Sequence, residues 1–235
     1  MSLLSVIRRA NVLVGQRRPT TAGNAPDATS TAQMTEMARL EAESLSGRHD
    51  WSGAIVPHQF MTAGSENQWS ALPDDFDRFT RSGGIYGPSG ALAGPLDRNQ
   101  WGELTSFPLK GGGYPGSFRV AGGRLQIYPA PAANQSYRFD YITKAIYKAA
   151  DGTPKTEWLL DTDECVIPEN LIALGVVWRW LQFKGLDYGE AMRNAEMEFE
   201  KLAGADSGRR GSYAVGTTRR LDADVAYPWP LGPHQ

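Results

Sequence analysis

The histidines are the first side chains to consider for metal binding or acid–base chemistry. His49, His58 and His234 are the full set, and none has a second histidine or a cysteine at the spacing of a zinc ligand set. Each stands in a segment that is typical of a loop. We therefore expect no metal site in this chain.

Acidic side chains cluster in two stretches. LPDDFDRF could bind a cation or supply a carboxylate pair, but it lacks the twelve-residue order and closing glutamate of an EF-hand loop. A solvated turn at a strand end is the expected alternative. LLDTDE precedes Pro168, where a helix should begin, and acids are favoured near a helix N-terminus. Neither cluster needs a catalytic role to explain it. The acidic residues are Asp74, Asp75 and Asp77 in the first stretch and Asp161, Asp163 and Glu164 in the second.

Glycine and nucleophile patterns give no support to an enzyme. KGGGYPGSF contains Lys110 beside three glycines, but it lacks the Gly-Lys-Ser/Thr ending of a P-loop, and the pattern after it predicts a strand. No Gly-x-Ser-x-Gly elbow occurs. Cys165 has no histidine partner and precedes Val166-Ile167-Pro168, which indicates a buried structural thiol. The sequence predicts no enzyme activity and no cofactor.

Length and composition describe an ordinary globular protein. The chain has 235 residues, of which 41% are hydrophobic and 21% charged, with a formal net charge of -2. This length allows one large domain or a domain with a substantial insertion. A dedicated nucleic-acid binder would be basic, so that class is disfavoured. The single cysteine excludes an internal disulfide and indicates a reducing compartment.

Targeting and membrane signals are not expected. MSLLSVIRRANVLVG places Arg8 and Arg9 in the middle of its apolar residues, whereas a signal peptide carries its charge before an unbroken apolar stretch. No run approaches the roughly twenty apolar residues that a membrane span requires. We expect a soluble protein made in the cytosol.

Two helices are predicted at the N-terminus. The first has apolar residues at three- and four-residue spacing (Leu3, Ile7, Ala10 and Val14) and ends at Gly15. A connector that is flexible by composition, GQRRPTTAGNAPDATS, follows. The second helix runs from about 29 to 46, with Glu41 interrupting its apolar face and Gly47 as its C-cap. The apolar face of this second helix consists of Met34, Met37, Ala38 and Leu45.

From about 49 to 157 the pattern favours strands. FRVAGGRLQIYPAP alternates apolar and polar residues around Gly122 and Gly123, which predicts a hairpin. YRFDYITKAIY predicts a third strand. The stretches 68–72 and 101–107 are weaker strand candidates. We expect a small antiparallel β sandwich or a curled sheet.

Two further helices are predicted after this region. PENLIALGVVWRWLQFKG begins at Pro168, which suits a first helical turn, and it is apolar on nearly every face, so neighbours must enclose it. A one-faced amphipathic helix then ends near Gly204, and its apolar positions are Tyr188, Met192, Ala195, Phe199 and Leu202.

The predicted fold class is α+β, with four segments. Residues 1–50 and 158–204 supply an α-helical bundle, 51–157 form an inserted antiparallel β module, and 205–235 form a long extended C-terminal arm. Fully extended, this arm would span on the order of 100 Å. Between Ser207 and Leu221 it carries four arginines and no acid, and arginine suits carboxylate-rich protein grooves. Tyr227, Pro228, Trp229 and Pro230 follow, and a tryptophan near an arm's tip is a typical interface anchor.

Four blocks of the sequence together resemble the head-to-tail adaptor, or connector, proteins of tailed bacteriophages, called tail tubular protein A in short-tailed phages. These are the helix ending near RHDW, LPDDFDRF, GGRLQIYPAPAANQSYRFDYITKA, and VIPENLIALGVVWRWLQFKGLDYGEAMRNAEMEFEKLAG. The resemblance covers about 30–203 by order of elements.

The resemblance implies a non-enzymatic structural protein of the virion neck. Such proteins form a ring, usually of twelve copies, beneath the portal protein and extend the DNA channel toward a tail tube or nozzle protein. Genomic DNA passes through the lumen without specific binding, and no membrane is involved. The C-terminal arm would contact the portal or a neighbouring subunit, through Arg209, Arg210, Tyr213, Arg219, Arg220, Tyr227 and Trp229.

Three alternatives remain open from the sequence. Another tail-completion, stopper or tail protein would share the ring habit but contact the tail. A carbohydrate-binding β module is suggested by aromatic residues, although alternation places several of them in the sheet core. Nucleic-acid binding through the arginine pairs would weaken steeply with salt. The aromatic residues in question are Tyr114, Tyr128, Tyr137 and Tyr141.

Overall fold

The structure is a computed structural model that describes residues 2–23, 26, 28–81, 83–106 and 116–207. Within these residues the fold is α+β, with five helices and antiparallel sheets, as predicted. The helices are α1 (Leu3–Leu13), α2 (Thr29–Arg48), α3 (Arg98–Ser106), α4 (Glu169–Phe183) and α5 (Gly189–Asp206). The strands are β1 (Ile55–Ala63), β2 (Asn67–Gln68), β3 (Phe76–Phe79), β4 (Tyr86–Gly87), β5 (Gly90–Ala91), β6 (Ser117–Ala121), β7 (Arg124–Tyr128), β8 (Ala133–Thr143), β9 (Tyr147–Lys148), β10 (Pro154–Lys155) and β11 (Glu164–Cys165).

Helix α1 forms where the apolar spacing predicts it. Ser2 caps its first turn, because the Ser2 hydroxyl accepts a hydrogen bond from the Ser5 amide. Leu3, Ile7 and Ala10 are fully buried. Gly15 follows the helix at a φ of +72°, a left-handed conformation that ends the helical path.

Helix α4 is the centre of the helical core, as its apolar faces predict. It packs against α1, α2 and α5. Helix α2 continues to Arg48, so Gly47 lies in its last turn and the prediction of a Gly47 C-cap is wrong. The helix ends at His49, whose extended backbone breaks the helical path without a left-handed glycine.

The polar interruption of the α2 face is a buried ion pair. The Glu41 side chain is 6% exposed, and one carboxylate oxygen accepts a hydrogen bond from Arg179 Nε of α4 at 2.6 Å. Gly175 lies directly beneath it, since a Cβ added there would stand 2.3 Å from Glu41 Cγ. Glycine at this position therefore makes room for the carboxylate between the two helices.

The main sheet has the strand order β1-β8-β4-β5, and β3 also pairs with β8. All of its strand pairs are antiparallel. One face of β8 contributes Tyr137, Phe139 and Tyr141 to a second, aromatic-rich core. The β6–β7 hairpin covers this core with Phe118 and Ile127, both essentially inaccessible to solvent.

The β6–β7 hairpin confirms the prediction made from FRVAGGRLQIYPAP. Val120 pairs with Leu125 and Ala121 with Arg124, so Gly122 and Gly123 form the two-residue turn. Both have positive φ values, 58° and 72°. A two-residue turn of this kind needs positive φ at both positions, and glycine adopts it without steric cost.

The region predicted as strands also contributes to the helical core. Strands β9, β10 and β11 form a separate small sheet, and the Tyr147 ring stacks on Trp158 at 5.3 Å. Tyr147, Trp158, Trp51 and Ile142 all belong to the same buried cluster as the helices. The helical core therefore includes residues from outside its helices.

Two predictions about irregular segments are wrong. Residues 98–106 form α3 rather than a strand, and Asp97 caps this helix by accepting from the Gln100 amide at 2.8 Å. Part of the connector predicted to be flexible is anchored. The Ala22 and Gly23 amides both donate to Asp161 Oδ1, at 2.8 and 2.7 Å, and Ala22 is fully buried.

Candidate functional site

The side chains predicted to contact a partner lie outside the described residues: Arg209, Arg210, Tyr213, Arg219, Arg220, Tyr227 and Trp229. Helix α5 ends at Asp206, two residues after the predicted Gly204, and Ser207 is its C-cap. The site that can be built from atoms is therefore the surface on which α5 ends.

Asp206 fastens the end of α5 to the segment that follows α2. Its carboxylate accepts hydrogen bonds from the Ser52 amide at 2.9 Å and from the Ser52 hydroxyl at 2.5 Å. His49 Nε2 lies 3.1 Å from the same carboxylate. We call this set, Asp206 with His49 and Ser52, the C-terminal clasp. It fixes the point where the described chain ends.

Aromatic and cationic contacts next to the clasp also hold α5 against the segment that follows α2. The His49 ring packs edge-on against Trp51 at 4.8 Å, and Trp51 packs against Phe199 of α5 at 6.3 Å. Arg48 lies over the Phe199 ring at 3.9 Å and donates two hydrogen bonds to Glu196, of 2.9 and 2.5 Å. The last two turns of α5 are thus held by several independent contacts.

Acidification should weaken the clasp. Burial favours the protonated form of Asp206, but the hydrogen bonds from Ser52 and His49 outweigh burial and hold its pKa below the ordinary 3.8. A carboxyl whose folded pKa is depressed stabilises the fold above its unfolded pKa, and this stability is lost as the pH falls through the folded pKa. We expect the difference in unfolding free energy between the wild type and Asp206→Asn to shrink below about pH 4. Urea unfolding from pH 7 to pH 3 measures it, and a difference independent of pH would contradict the assignment.

A groove of about 1320 Å³ opens beside the clasp. Its lining comes from four separate parts of the chain: residues 49–59, the loop before β4, the exposed side of β8, and the last two turns of α5. Pro57 and Asp140 are paired across β1 and β8 on its floor. Ala203, Gly204 and Ser207 form part of its wall, so the chain leaves α5 inside the groove.

Carboxylates outnumber guanidinium groups in the groove lining. Asp50 and Asp206 already have partners, in Arg78 and His49 respectively. Asp140 and Glu200 are exposed, and neither forms an ion pair with another described residue. The lining arginines are Arg81 and Arg138, of which Arg81 donates to the Arg48 carbonyl. Arg138 also forms no ion pair with another described residue, so it is the excess of carboxylates over guanidinium groups that favours a cationic occupant.

The acidic stretch LPDDFDRF forms a turn directly before β3 in which Asp74 is exposed, as predicted, and Asp75 in addition has a structural role. Asp75 accepts hydrogen bonds from the Tyr141 hydroxyl at 2.8 Å and the Thr143 hydroxyl at 2.6 Å. Burial and this hydrogen bond raise the pKa of Tyr141 to about 12. Asp77 pairs with its neighbour Arg78. These contacts join the turn before β3 to β8.

The second acidic stretch holds a turn rather than the N-terminus of α4. Asp163 is fully buried, and its Oδ2 accepts from Lys155 Nζ and from the Leu159 and Leu160 amides. Asp161 anchors the connector through Ala22 and Gly23. The prediction that helix electrostatics explain these acids is therefore wrong.

Among the described residues no group of three or more histidine, cysteine, aspartate or glutamate side chains could hold a metal ion. His58 lies on β1, not in a loop as predicted, and packs against Phe139 at 5.2 Å. Burial raises the pKa of the Cys165 thiol to about 12, in agreement with a structural thiol. No helix in the described part of the chain is long and apolar enough to cross a membrane.

The aromatic residues that suggested a carbohydrate-binding face do not share one. Tyr137 and Tyr141 are 6% and 3% exposed and lie in the second core. Tyr128 is half-buried beside Trp101, with ring centroids 6.3 Å apart, and Tyr114 lies outside the described residues. The described tyrosines therefore do not form an exposed sugar-binding platform.

Sequence reasoning did not find the clasp or the groove. Asp206 stood at the end of an amphipathic helix, and His49 and Ser52 stood more than 150 residues earlier, so no local spacing linked them. The one available signal was the polar sequence RHDWS directly after a helix, which is suited to accept or donate hydrogen bonds at a helix end.

Comparison with protein families places most of the chain in a known family. A family model described as SU10 adaptor protein matches residues 1–221 of the chain. The match includes α1 to α5, every described strand and the first part of the C-terminal segment. No curated protein matches the chain.

Proposed function

We propose that this chain, which belongs to the SU10 adaptor protein family, joins the portal of a phage head to the tail. The family is a phage head-to-tail adaptor family, so the protein is a structural adaptor and a component of the virion. In our proposal the subunits form a ring, of about twelve copies, beneath the portal. Genomic DNA passes through its lumen without specific binding, toward a tail tube or nozzle protein.

The observation that carries this proposal is the extent of the family match. Residues 1–221 include both buried cores, the groove and Arg209, Arg210, Arg219 and Arg220. A match of this extent covers the whole described fold and not a single shared motif. The adaptor role is therefore proposed for the complete described fold.

The proposed division of labour follows the segments of the chain. The helices of 1–50 and 158–204 act as a bundle, 51–157 as the inserted β module, and the residues after α5 as an extended arm that docks on the portal. Arginine's planar fork suits carboxylates on a protein partner. Tyr227 and Trp229 lie beyond the family match, and we propose them as the anchor at the arm's tip.

Removing the arm should abolish portal binding. The intact chain and a chain that ends at Ser207 are each mixed with the portal ring of the same phage, and their mass is measured by size-exclusion chromatography with light scattering. Ending at Ser207 keeps the clasp, because Asp206 and its partners remain. We expect about twelve copies of the intact chain per portal and none of the truncated chain.

The contrary results are equally clear. If the truncated chain binds the portal as well as the intact chain, the arm is not the portal contact. If neither binds the portal but the intact chain binds a tail protein of the same phage, the protein is a stopper or tail component. Far-UV circular dichroism of both forms shows whether the truncated chain keeps its fold.

A further inference from the structure

The groove beside the clasp is not part of the proposed portal contact. Ala203, Gly204, Asp206 and Ser207 line it, so the last turn of α5 delivers the chain into the groove rather than away from it. The next residue in sequence is Gly208, followed by Arg209 and Arg210. The geometry points to an occupant that is already attached to the groove wall.

We propose that the groove is the docking site for residues 208–213 of the same molecule. The segment reads Gly-Arg-Arg-Gly-Ser-Tyr. Docking would assign Arg209, Arg210 and Tyr213 to the groove and leave the rest of the arm, from residue 214 onward, for the portal. It would also fix the direction in which the rest of the arm leaves the subunit. The inference concerns the isolated chain and does not rest on the portal role.

Reach and attachment favour this segment over any separate partner. Arg209 and Arg210 follow Ser207 by two and three residues, which extended chain spans in about 7 to 10 Å. A tether this short gives the arginines a millimolar effective concentration at the groove, on the order of that of a short flexible linker. A separate peptide of equal affinity would have to be present at a millimolar concentration to displace the attached segment.

Charge complementarity selects the cationic part of the segment. Asp140 on β8 and Glu200 on α5 are the groove carboxylates without an ion-pair partner among the described residues. The segment carries two arginines and no acid, and the next acid in the sequence is Asp222. Arginine binds carboxylates through two parallel hydrogen bonds, which fixes orientation as well as charge. The lining carries four carboxylates against two guanidinium groups, and this excess of negative charge favours a cationic segment.

The apolar lining suits the remaining parts of the segment. Pro57, Tyr86 and Phe199 present apolar surface to the groove, and the Tyr86 side chain is 48% exposed. The hydrocarbon stems of arginine pack on such surface while their guanidinium groups stay solvated. Tyr213 would add an aromatic contact to Tyr86. Gly208 and Gly211 have no side chain to keep the backbone away from the floor.

A disulfide trap tests this docking in the isolated full-length chain. Gln59→Cys places a thiol on the groove floor, and Gly211→Cys places one in the segment. The native Cys165 is only partly buried, so all variants carry Cys165→Ser to keep it from competing for the introduced thiols. The control pair combines Gly211→Cys with Glu157→Cys, an exposed position outside the groove. We expect an intramolecular disulfide that forms on the order of tenfold faster in the groove pair, because docking raises the local thiol concentration.

Neutralising the two carboxylates should slow the trap. Asp140→Asn with Glu200→Gln is expected to lower the rate about fourfold, since each exposed ion pair changes an equilibrium by about a factor of two. Glu66→Gln with Glu103→Gln is the matched control, because both are exposed, lie outside the groove and change the charge equally. This control should leave the rate unchanged.

Three results would overturn the proposal. Equal rates for the groove and control pairs would show that the segment does not dock there. A disulfide that links two chains would assign the groove to a neighbouring copy. A groove-pair rate unaffected by Asp140→Asn with Glu200→Gln would remove the charge argument. The experiment contains no portal, so its failure is distinct from a failure of portal binding.

Discussion

Replacing Asp163 by alanine is expected to lower the free energy of unfolding by about 3 kcal/mol, because three hydrogen bonds to a buried charged group are lost together. Asp163 is fully buried, and its Oδ2 accepts from Lys155 Nζ at 2.5 Å, the Leu159 amide at 3.1 Å and the Leu160 amide at 2.9 Å. Alanine would leave these donors to whatever water can reach them. Urea unfolding at pH 7 measures the change.

The position of the Asp163 turn makes this loss large. The Asp163 carbonyl accepts from the Leu3 amide at 2.9 Å and from Trp158 Nε1 at 2.7 Å, so the turn docks α1 and the fully buried Trp158 ring. A turn that loosens therefore loosens the contact of α1 with the helical core. The effect is expected to spread beyond the substituted side chain.

Two variants make the Asp163 test specific. Asp163→Asn keeps the shape and one carbonyl acceptor but removes the charge, so its loss should be smaller than that of Asp163→Ala. Glu157→Ala removes an exposed carboxylate nearby in sequence and should change stability by less than about 0.5 kcal/mol. If Asp163→Ala costs no more than Glu157→Ala, the carboxylate does not stabilise the turn.

Gly175→Ala should destabilise the protein by about 2 kcal/mol, because it breaks a largely buried ion pair whose arginine is partly exposed. A destabilising effect of Gly→Ala is unusual inside a helix, because alanine is the better helix former and normally stabilises a helix interior by about 0.5 to 1 kcal/mol. Here the new Cβ would stand 2.3 Å from Glu41 Cγ and 2.5 Å from Cδ. Glu41 must move, and its 2.6 Å contact with Arg179 Nε is lost. Thermal or urea unfolding gives the sign directly.

Matched glycines separate sterics from helix propensity. Gly47 lies in α2 with no atom within 4 Å of its added Cβ, so Gly47→Ala should be stabilising. In a Glu41→Ala background the obstruction at Gly175 is absent, and Gly175→Ala should become neutral or stabilising. A destabilising effect of the same size in that background would place its cause somewhere other than Glu41.

Local patterns predicted the elements that local physics decides. The three- and four-residue apolar spacing of Leu3, Ile7 and Ala10 decides which face of α1 is buried, and Gly122-Gly123 decides a turn that needs positive φ twice. The nearly continuous apolar surface of α4 predicted an enclosed helix, and the structure surrounds α4 with three others. These elements follow from residues that are neighbours in sequence.

The features that the sequence did not explain depend on contacts between residues far apart in the chain or on a cap outside the apolar pattern. Glu41 interrupts an apolar face until Arg179, 138 residues later, supplies its counter-charge. Residues 101–106 of the predicted strand form a helix instead, because Asp97 caps it, and the three-residue spacing of Trp101 and Leu104 is typical of a helix. The groove draws on four distant segments, so no spacing in the sequence could have indicated it.

The predicted arm residues remain a prediction, since they lie outside the described residues. What the structure adds is the surface from which they depart. The clasp fixes Ser207 relative to both α2 and β1, and the groove presents two unpaired carboxylates to the first arginines of the segment. The positive charge of the segment after Ser207 is therefore complementary to the negative charge of the groove into which α5 leads.

Strand β8 has a mechanical consequence for the whole subunit. Its Tyr137, Phe139 and Tyr141 side chains lie in the aromatic-rich core, while Ile142, the next residue along, lies in the helical core. Residues 137–142 of this one strand pair continuously with β1 and are embedded in both cores, so no linker separates the two cores there. We expect a load applied at the helices to be passed along this part of β8 into the sheet. In the proposed ring, each subunit would then tilt as a single stiff lever, and torque from the head would reach the tail without being absorbed by an internal joint.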